Sequence, residues 1–180
     1  TVLVLGGGVV ACELAQAYAG LGSEVTMLVR GGGLLTRFES SAGELVAAGL
    51  AAAGVRIRIG RTPERVDRTD AQTVTVLLDD GTTLSCDELL VATGRRPRTA
   101  DLGLDRFGLS DHGYLPTDGT LTVASVDGAW LYAVGDANGR NLLTHMGKYQ
   151  ARICGDVIVA RAKGGDGALP VAFADEVGAP

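Results

Sequence analysis

The first fifteen residues, TVLVLGGGVVACELA, constrain the fold of this 180-residue chain more than any other segment. Thr1–Leu5 is a continuous apolar run, which is typical of a buried parallel strand. Three glycines follow it, and small or apolar side chains then recur at helical spacing from Val9 to Leu21. A strand, a glycine turn and a helix in this order predict the first half of a dinucleotide-binding β-α-β unit.

Each position of the glycine turn has an expected role in such a unit. Gly6 allows the tight turn out of the strand, and Gly8 leaves room for a pyrophosphate beside the backbone. Ala11 keeps the helix close to the strand, and the free N–H groups at the helix N-terminus face the phosphates. The predicted contacts are Gly6, Gly7, Gly8, Val9, Val10 and Ala11. The alternative is a glycine turn whose role is only structural.

The residues that follow the second strand predict which dinucleotide binds. NAD-binding units usually carry an acid there, which accepts hydrogen bonds from the ribose hydroxyls. This chain has Val29 and Arg30 at that point, with Arg37 seven residues beyond Arg30. No carboxylate lies between Glu24 and Glu39. Because a guanidinium suits a 2′-phosphate, NADP(H) is favoured over NAD(H). The alternative is that both arginines are solvated loop residues.

The rest of the first half predicts an α/β fold. A strand over 24–29, a helix over 41–53 and a strand over 55–59 complete a β-α-β-α-β order, which indicates a Rossmann-like, doubly wound parallel sheet. The segments RVDRT, TVTVLL and TTLSC then predict an antiparallel β-meander crossover. A buried strand over 87–93 ends at Gly94.

The second half contains another junction that is typical of a cofactor site, LYAVGDANGRNLLTH, which predicts a buried strand, an acid, a loop and a helix start. Residues 98–128 are rich in loops, a strand is predicted over 130–134, and a helix runs from Leu142 to about Lys163. Two neighbouring apolar faces follow that helix, so we expect it to need cover on more than one side. Residues 163–170, KGGDGALP, are typical of a linker.

Composition excludes several functions. The net charge of −5 offers no electrostatic footprint for nucleic acid or an anionic membrane. The longest apolar run, LVAAGLAAAGV, is too short and too rich in glycine and alanine to span a bilayer. Cys12, Cys86 and Cys154 form no CxxC pair, which favours plain packing in a reducing, cytoplasmic location. His112 and His145 are far apart, so no metal site is predicted.

Four ordered segments point to a family. They are GGGVVACELA, VTMLVRGGGLLTRFE, ATGRRPR and LYAVGDANGRNLLTH, and together they cover nearly all of residues 1–163. In this order they resemble the pyridine nucleotide–disulfide oxidoreductases, the flavoenzymes that include glutathione reductase, dihydrolipoamide dehydrogenase and mercuric reductase. The resemblance implies an NAD(P)-binding domain over 1–95 and, over 96–163, the returning half of an FAD-binding domain, which is part of a second Rossmann-like domain. It further implies a linker over 164–180 toward a C-terminal dimerisation domain, and hence a fragment of a homodimer.

The resemblance also assigns roles to individual residues. Asp136 is expected to accept hydrogen bonds from the ribityl hydroxyls of the flavin. The LLTH segment matches a helix start whose backbone N–H groups face the isoalloxazine, where they favour the negative charge of reduced flavin. Glu13 matches an acid near the nicotinamide, unless it is a solvated glutamate of the first turns. The cofactor contacts implied in this way are Glu13, Gly94, Asp136, Leu142, Leu143, Thr144 and His145.

The implied function is an FAD-dependent oxidoreductase that takes hydride from NAD(P)H, with NADPH favoured, and passes electrons to a disulfide or another acceptor. The CxxxxC and His-Glu pairs of the family do not occur in these residues, so no catalytic residue is assigned. Two other functions stay open. A single-domain NAD(P)-dependent dehydrogenase would need an acid/base within 96–180, and a non-catalytic nucleotide-sensing module would leave AVGDANGRNLLTH unexplained.

Overall fold

The computed structural model describes residues 1–68, 72–164 and 169–171. The chain divides into two compact units, one over Thr1–Arg95 and one that begins at Arg96. Among the described residues, no helix combines the length and the apolar character that crossing a bilayer requires.

The first unit contains a parallel sheet and an antiparallel meander. Its elements are β1 (Val2–Leu5), α1 (Val9–Gly20), β2 (Val25–Val29), α2 (Ser40–Ala52), β3 (Arg56–Ile59), β4 (Pro63–Arg68), β5 (Val74–Leu78), β6 (Thr83–Cys86) and β7 (Glu88–Val91). The parallel sheet has the order β3-β2-β1-β7, and β4, β5 and β6 form the antiparallel meander. The predicted α/β fold class is confirmed, and each of these elements lies close to its predicted position.

Side chains of β1 and β2 alternate between two apolar layers. Val4 and Met27 pack with residues of α1 and α2, including the fully buried Ala15. Leu3 and Leu28 point to the opposite face, where they pack with the meander. Since complete burial of one such side chain contributes about 1.5–3 kcal/mol, both faces of the sheet stabilise this unit strongly.

The second unit has little regular structure. Its described residues contain two 3₁₀ turns, Leu104–Phe107 and Gly135–Asn138, and the helix α3 (Thr144–Ala162). The strand predicted over 130–134 is wrong: within the described residues its pairing is reduced to an isolated bridge between Thr122 and Tyr132. Successive side chains of this segment still pack in different clusters, Leu131 and Ala133 in one and Tyr132 and Val134 in the other.

The helix of the second unit differs from expectation in two ways. α3 begins two residues after the predicted start at Leu142, because Leu143 has an extended backbone with φ −128° and ψ 132°. Its buried residues are Gln150, Cys154 and Val157, whereas Ile158 of a predicted apolar face is exposed. Most of the predicted linker, residues 165–168 and 172–180, lies outside the described residues.

Candidate functional site

The glycine turn lies at the carboxyl edge of the parallel sheet. Leu5 at the end of β1 is in register with Leu28 of β2 and with Val91 of β7. The segments that follow these strands therefore leave the sheet at the same edge, which is where ligands of open α/β sheets bind. The structure thus brings the glycine turn close to the residues that follow β2 and β7.

Gly6 occupies a place that no larger residue fits. Its φ is +130°, and a Cβ atom built there would lie 2.4 Å from the carbonyl oxygen of Ala92. The Gly6 N–H donates to the carbonyl of Leu28 at 2.9 Å, which ties the turn to β2. A Cβ on Gly7 would lie 2.7 Å from Cγ1 of Val29. These two glycines are required by the packing of the protein itself.

Gly8 and the start of α1 have a different environment. A Cβ built on Gly8 meets nothing within 4 Å, and its backbone has φ −84°, which ordinary residues adopt. Val9 and Val10 are 44% and 48% exposed, whereas Ala11 is fully buried against the sheet. The N-terminus of α1 has no side-chain cap and no acid in its first turn.

These features fit the pyrophosphate of a dinucleotide. The first N–H groups of a helix lack intrahelical partners, and the helix dipole places partial positive charge at that end. An open approach over Gly8 lets an anion reach those donors, as the sequence motif predicts. The residues available to contact the pyrophosphate are Gly8, Val9 and Val10. Gly6, Gly7 and Ala11 are instead required for packing.

The loop after β2 carries the two predicted arginines. Val29 is buried at the strand end, and Arg30 and Arg37 are exposed. The loop is anchored on the glycine turn, because the Leu35 N–H donates to the Gly7 carbonyl at 2.7 Å. Leu35 holds a φ of +52°, which is costly for a bulky residue and shows that the loop conformation is imposed by its surroundings.

Two further predicted contacts of the first unit lie on exposed positions. Glu13 is exposed on α1, one turn beyond the glycine motif. Gly94 follows β7 with a φ of +130°, and a Cβ there would meet nothing within 4 Å. Both positions are accessible to a ligand at the carboxyl edge.

A cleft of about 540 Å³ lies at the opposite edge of the sheet. It is lined by residues at the amino ends of β1 and β7, among them Val2 and Glu88, and by Tyr18 of α1. None of its lining residues belongs to the glycine turn or to the arginine loop. We place the candidate nucleotide site at the glycines and not in this cleft, because the uncapped helix start and the arginine loop lie at the carboxyl edge.

In the second unit, the turn that carries Asp136 is built by side-chain amides. Gly135 begins the turn with a φ of +65°, and its N–H donates to Oε1 of Gln150 at 2.8 Å. Asn138 is buried, and its Nδ2 donates to the Ala133 carbonyl at 3.1 Å and to Oε1 of Gln150 at 2.8 Å. Asp136 itself is exposed in the middle of this turn.

The start of α3 lies against the same turn. A Cβ built on Gly147 would lie 3.3 Å from Cα of Gly135, so the two backbones are close together. The helix has no side-chain N-cap and no acid in its first turn. Leu143, Thr144 and His145 are exposed, and Leu142 is half-buried. An exposed carboxylate beside uncapped helix N–H groups offers an acceptor for hydroxyls and donors for an anionic group, which fits a flavin nucleotide.

Sequence reasoning missed three residues of this arrangement. Gln150, Asn138 and Gly147 build the turn, but none was predicted as a site residue. A signal existed for Gln150, because it lies three residues after Gly147 and four before Cys154. It is thus a polar side chain in a helical series that is otherwise small and apolar.

The cysteines and acids of the described residues form no additional redox or metal site. Cys12, Cys86 and Cys154 are free and buried, and burial raises the pKa of each thiol. Across residues 1–68, 72–164 and 169–171, no group of three His, Cys, Asp or Glu side chains could hold a metal ion.

Comparison with known proteins decides the family. The family described as "Pyridine nucleotide-disulphide oxidoreductase" matches residues 1–163. This chain belongs to that family. The resemblance carried by the four sequence segments is therefore confirmed.

Three relatives illustrate the match. The chain is 30% identical over 181 residues to a dihydrolipoyl dehydrogenase of Geobacillus stearothermophilus, with 97% of this chain and 38% of the relative covered. The HOCl-induced flavoprotein disulfide reductase RclA of Escherichia coli superimposes with a TM-score of 0.74 at 29% identity, with 92% and 36% covered. An engineered water-forming NADPH oxidase bound to NADPH has a TM-score of 0.65 at 26% identity, with 76% and 29% covered. The chain thus spans between about a quarter and two fifths of each relative's length.

Proposed function

We propose that this chain belongs to an FAD-dependent NAD(P)H oxidoreductase, and that it binds NADP(H) at the glycine turn and one side of FAD at the Asp136 turn. The observation that carries this proposal is that two helices, α1 and α3, each begin without a side-chain cap beside a predicted cofactor turn. Family membership and the flavoprotein relative support the flavin assignment.

When bound, FAD would supply the two-electron acceptor for the reduced nicotinamide, and a disulfide or another acceptor would take the electrons onward. The residues of this chain would bind the two cofactors and orient them. The N–H groups of Val9 and Val10 would hold the pyrophosphate, with Gly8 leaving the approach open. Asp136 would accept hydrogen bonds from the ribityl hydroxyls, and the N–H groups at Thr144 and His145 would stabilise negative charge.

The arginine loop supports NADP(H) as the nucleotide. Arg30 and Arg37 are exposed on a loop that is anchored on the glycine turn, so the loop holds guanidinium groups, which suit a 2′-phosphate, beside the candidate nucleotide site. The engineered oxidase bound to NADPH carries substitutions that remove an aspartate and introduce two arginines. This chain likewise has two arginines, and no carboxylate, between Glu24 and Glu39.

Titration with both nucleotides tests this preference. In the full-length protein, Arg30→Ala or Arg37→Ala should weaken NADPH binding by on the order of 1.5–3 kcal/mol, because a charge-assisted bond is lost. NADH binding should change little. Arg58→Ala, which removes an exposed arginine from β3, is the matched control and should leave both affinities unchanged. Equal affinities of the unaltered protein for NADPH and NADH would contradict the proposal.

We further propose that the full-length protein is a cytoplasmic homodimer. The three buried free thiols support a reducing compartment, and homodimers are common in the family. The absorption spectrum of the purified full-length protein tests the flavin assignment most directly. A colourless protein that cannot be reconstituted with FAD would instead favour a nicotinamide-only dehydrogenase or a nucleotide sensor.

A further inference from the structure

Gln150 lies on α3 with its side chain fully buried. We propose that Gln150 is a positioning residue of the candidate flavin site, and that it sets the direction of Asp136 relative to the N-terminus of α3. This inference rests on the proposed function, because it assumes that Asp136 and the helix start face one ligand.

The orientation of the Gln150 amide follows from its partners. Oε1 faces the N–H of Gly135 at 2.8 Å, and a backbone N–H can only donate, so the oxygen and not the nitrogen must lie there. The orientation of Asn138 is determined in the same way. Its Nδ2 faces the carbonyl of Ala133, and its Oδ1 accepts from the N–H of Arg140 at 3.0 Å. The second bond to Oε1 of Gln150, at 2.8 Å, therefore comes from Nδ2 of Asn138.

One oxygen atom thus ties both ends of the Asp136 turn to the helix. Gly135 begins the turn and Asn138 ends it. Gln150 is six residues beyond Thr144, so its bonds hold the turn beside the first two helical turns. The close approach of Gly147 to Gly135 leaves no side chain between the two backbones. Movement of the turn along the helix would break both hydrogen bonds at once.

Packing alone does not account for an amide at this position. Within the described residues, Nε2 of Gln150 is buried without a hydrogen-bond partner, and a buried donor in that state destabilises the fold. Methionine has a similar length and would avoid this cost. The presence of glutamine is therefore explained by the two bonds that its oxygen accepts.

The test compares Gln150→Met with Val157→Ala in the full-length protein. Val157 is also fully buried on α3, but its side chain makes no hydrogen bond, so its truncation reports loss of packing alone. We expect the FAD dissociation constant of apoprotein carrying Gln150→Met to rise at least tenfold above that of the Val157→Ala variant. The circular dichroism of the bound flavin should change in Gln150→Met and stay unchanged in Val157→Ala.

Amide hydrogen exchange gives a readout that needs no cofactor. In apoprotein carrying Gln150→Met, the Gly135 N–H loses its acceptor and should exchange at least tenfold faster. The Val123 N–H, which donates to the Leu131 carbonyl at 2.9 Å, should keep its rate. If Gln150→Met does not fold, Asn138→Ala removes one of the two donors and should also weaken FAD binding more than Val157→Ala does.

The outcomes separate this inference from the function on which it rests. Equal FAD affinities of Gln150→Met and Val157→Ala, together with weaker binding by Asp136→Ala, would overturn the positioning role and leave the flavin site in place. An unchanged FAD affinity of Asp136→Ala would overturn the proposed flavin site itself. Asp156→Ala, an exposed acid on α3, is the charge-matched control for that variant.

Discussion

In the first unit, a four-stranded parallel sheet lies between helices and a meander, whereas the second unit, within its described residues, has strand pairing only at the Thr122–Tyr132 bridge. Polar side chains replace the backbone ladder in the second unit. Gln150 and Arg161 bond to backbone atoms of distant loop residues, and Asn138 bonds to a backbone carbonyl five residues earlier. We therefore expect the stability of the first unit to fall when side-chain volume is added, and that of the second unit to fall when polar atoms are removed.

The largest effect is expected at Gly6 of the first unit. Gly6→Ala should lower the free energy of unfolding by at least about 2 kcal/mol, because the new Cβ meets the Ala92 carbonyl and alanine disfavours a φ of +130°. Gly8→Ala should cost no more than about 1 kcal/mol, since the space is open and only the preference for glycine at an N-cap is lost.

Gly8→Ala should have its main effect on nucleotide binding and not on stability. Gly8→Ala should weaken NADPH binding at least tenfold in a protein of nearly unaltered stability, because the methyl group occupies the approach to the helix N-terminus. Denaturant unfolding and calorimetric titration measure the two quantities. A Gly8→Ala variant with full affinity would show that the open space serves no ligand.

A smaller effect on stability is expected from substitution of Arg161, near the end of α3. Its Nη1 donates to Thr122 Oγ1 at 3.0 Å, to the Ala129 carbonyl at 2.9 Å and to Tyr132 Oη at 2.8 Å. Arg161→Met keeps the apolar stem and removes these bonds, so the second unit should lose about 1–3 kcal/mol. Arg152→Met, at an exposed position of the same helix, should change stability by less than about 0.5 kcal/mol.

Hydrogen exchange near Thr122 and Tyr132 locates the loss. Faster exchange confined to the second unit in Arg161→Met supports the comparison drawn above. Equal stabilities of the two variants would show instead that apolar packing, and not the guanidinium network, holds the loop to α3.

Local patterns made most of the first unit predictable. The apolar run of β1 leads directly into Gly6, and the helical spacing after Gly8 marks α1, so each signal lies within a few residues of the next. The need for glycine at Gly6 was predictable as a turn. The contact that makes it strict is with Ala92, the residue after β7, which is more than eighty residues away in sequence.

The second unit was less predictable because its partners are far apart along the chain. Gln150 binds Gly135 across fifteen residues, and Arg161 binds Thr122 across thirty-nine. No local periodicity reports such pairs. The apolar run over 130–134 predicted a strand, but a strand also requires a hydrogen-bonded neighbour, which the pattern of one segment cannot supply.

The smallest effect concerns pH and Asp118 of the second unit. Burial raises the pKa of this carboxyl, but hydrogen bonds from Thr120 and Thr122 lower it more, with a contribution from the Arg161 guanidinium, so its pKa lies below the ordinary value. A folded-state pKa below the unfolded value of about 3.9 means that the stabilisation is complete above that pH and is lost as pH falls through the folded value.

Asp118→Asn should therefore be less stable than the unaltered protein near neutral pH, with the difference shrinking below about pH 4. Thr120→Val removes the hydroxyl donor 2.6 Å from Asp118 and should weaken this pH dependence without abolishing it, because the backbone donors remain. Solvent around the exposed carboxylate keeps the effect small. A stability difference that stays constant from pH 7 to pH 3 would show that Asp118 contributes through its shape and not through its charge.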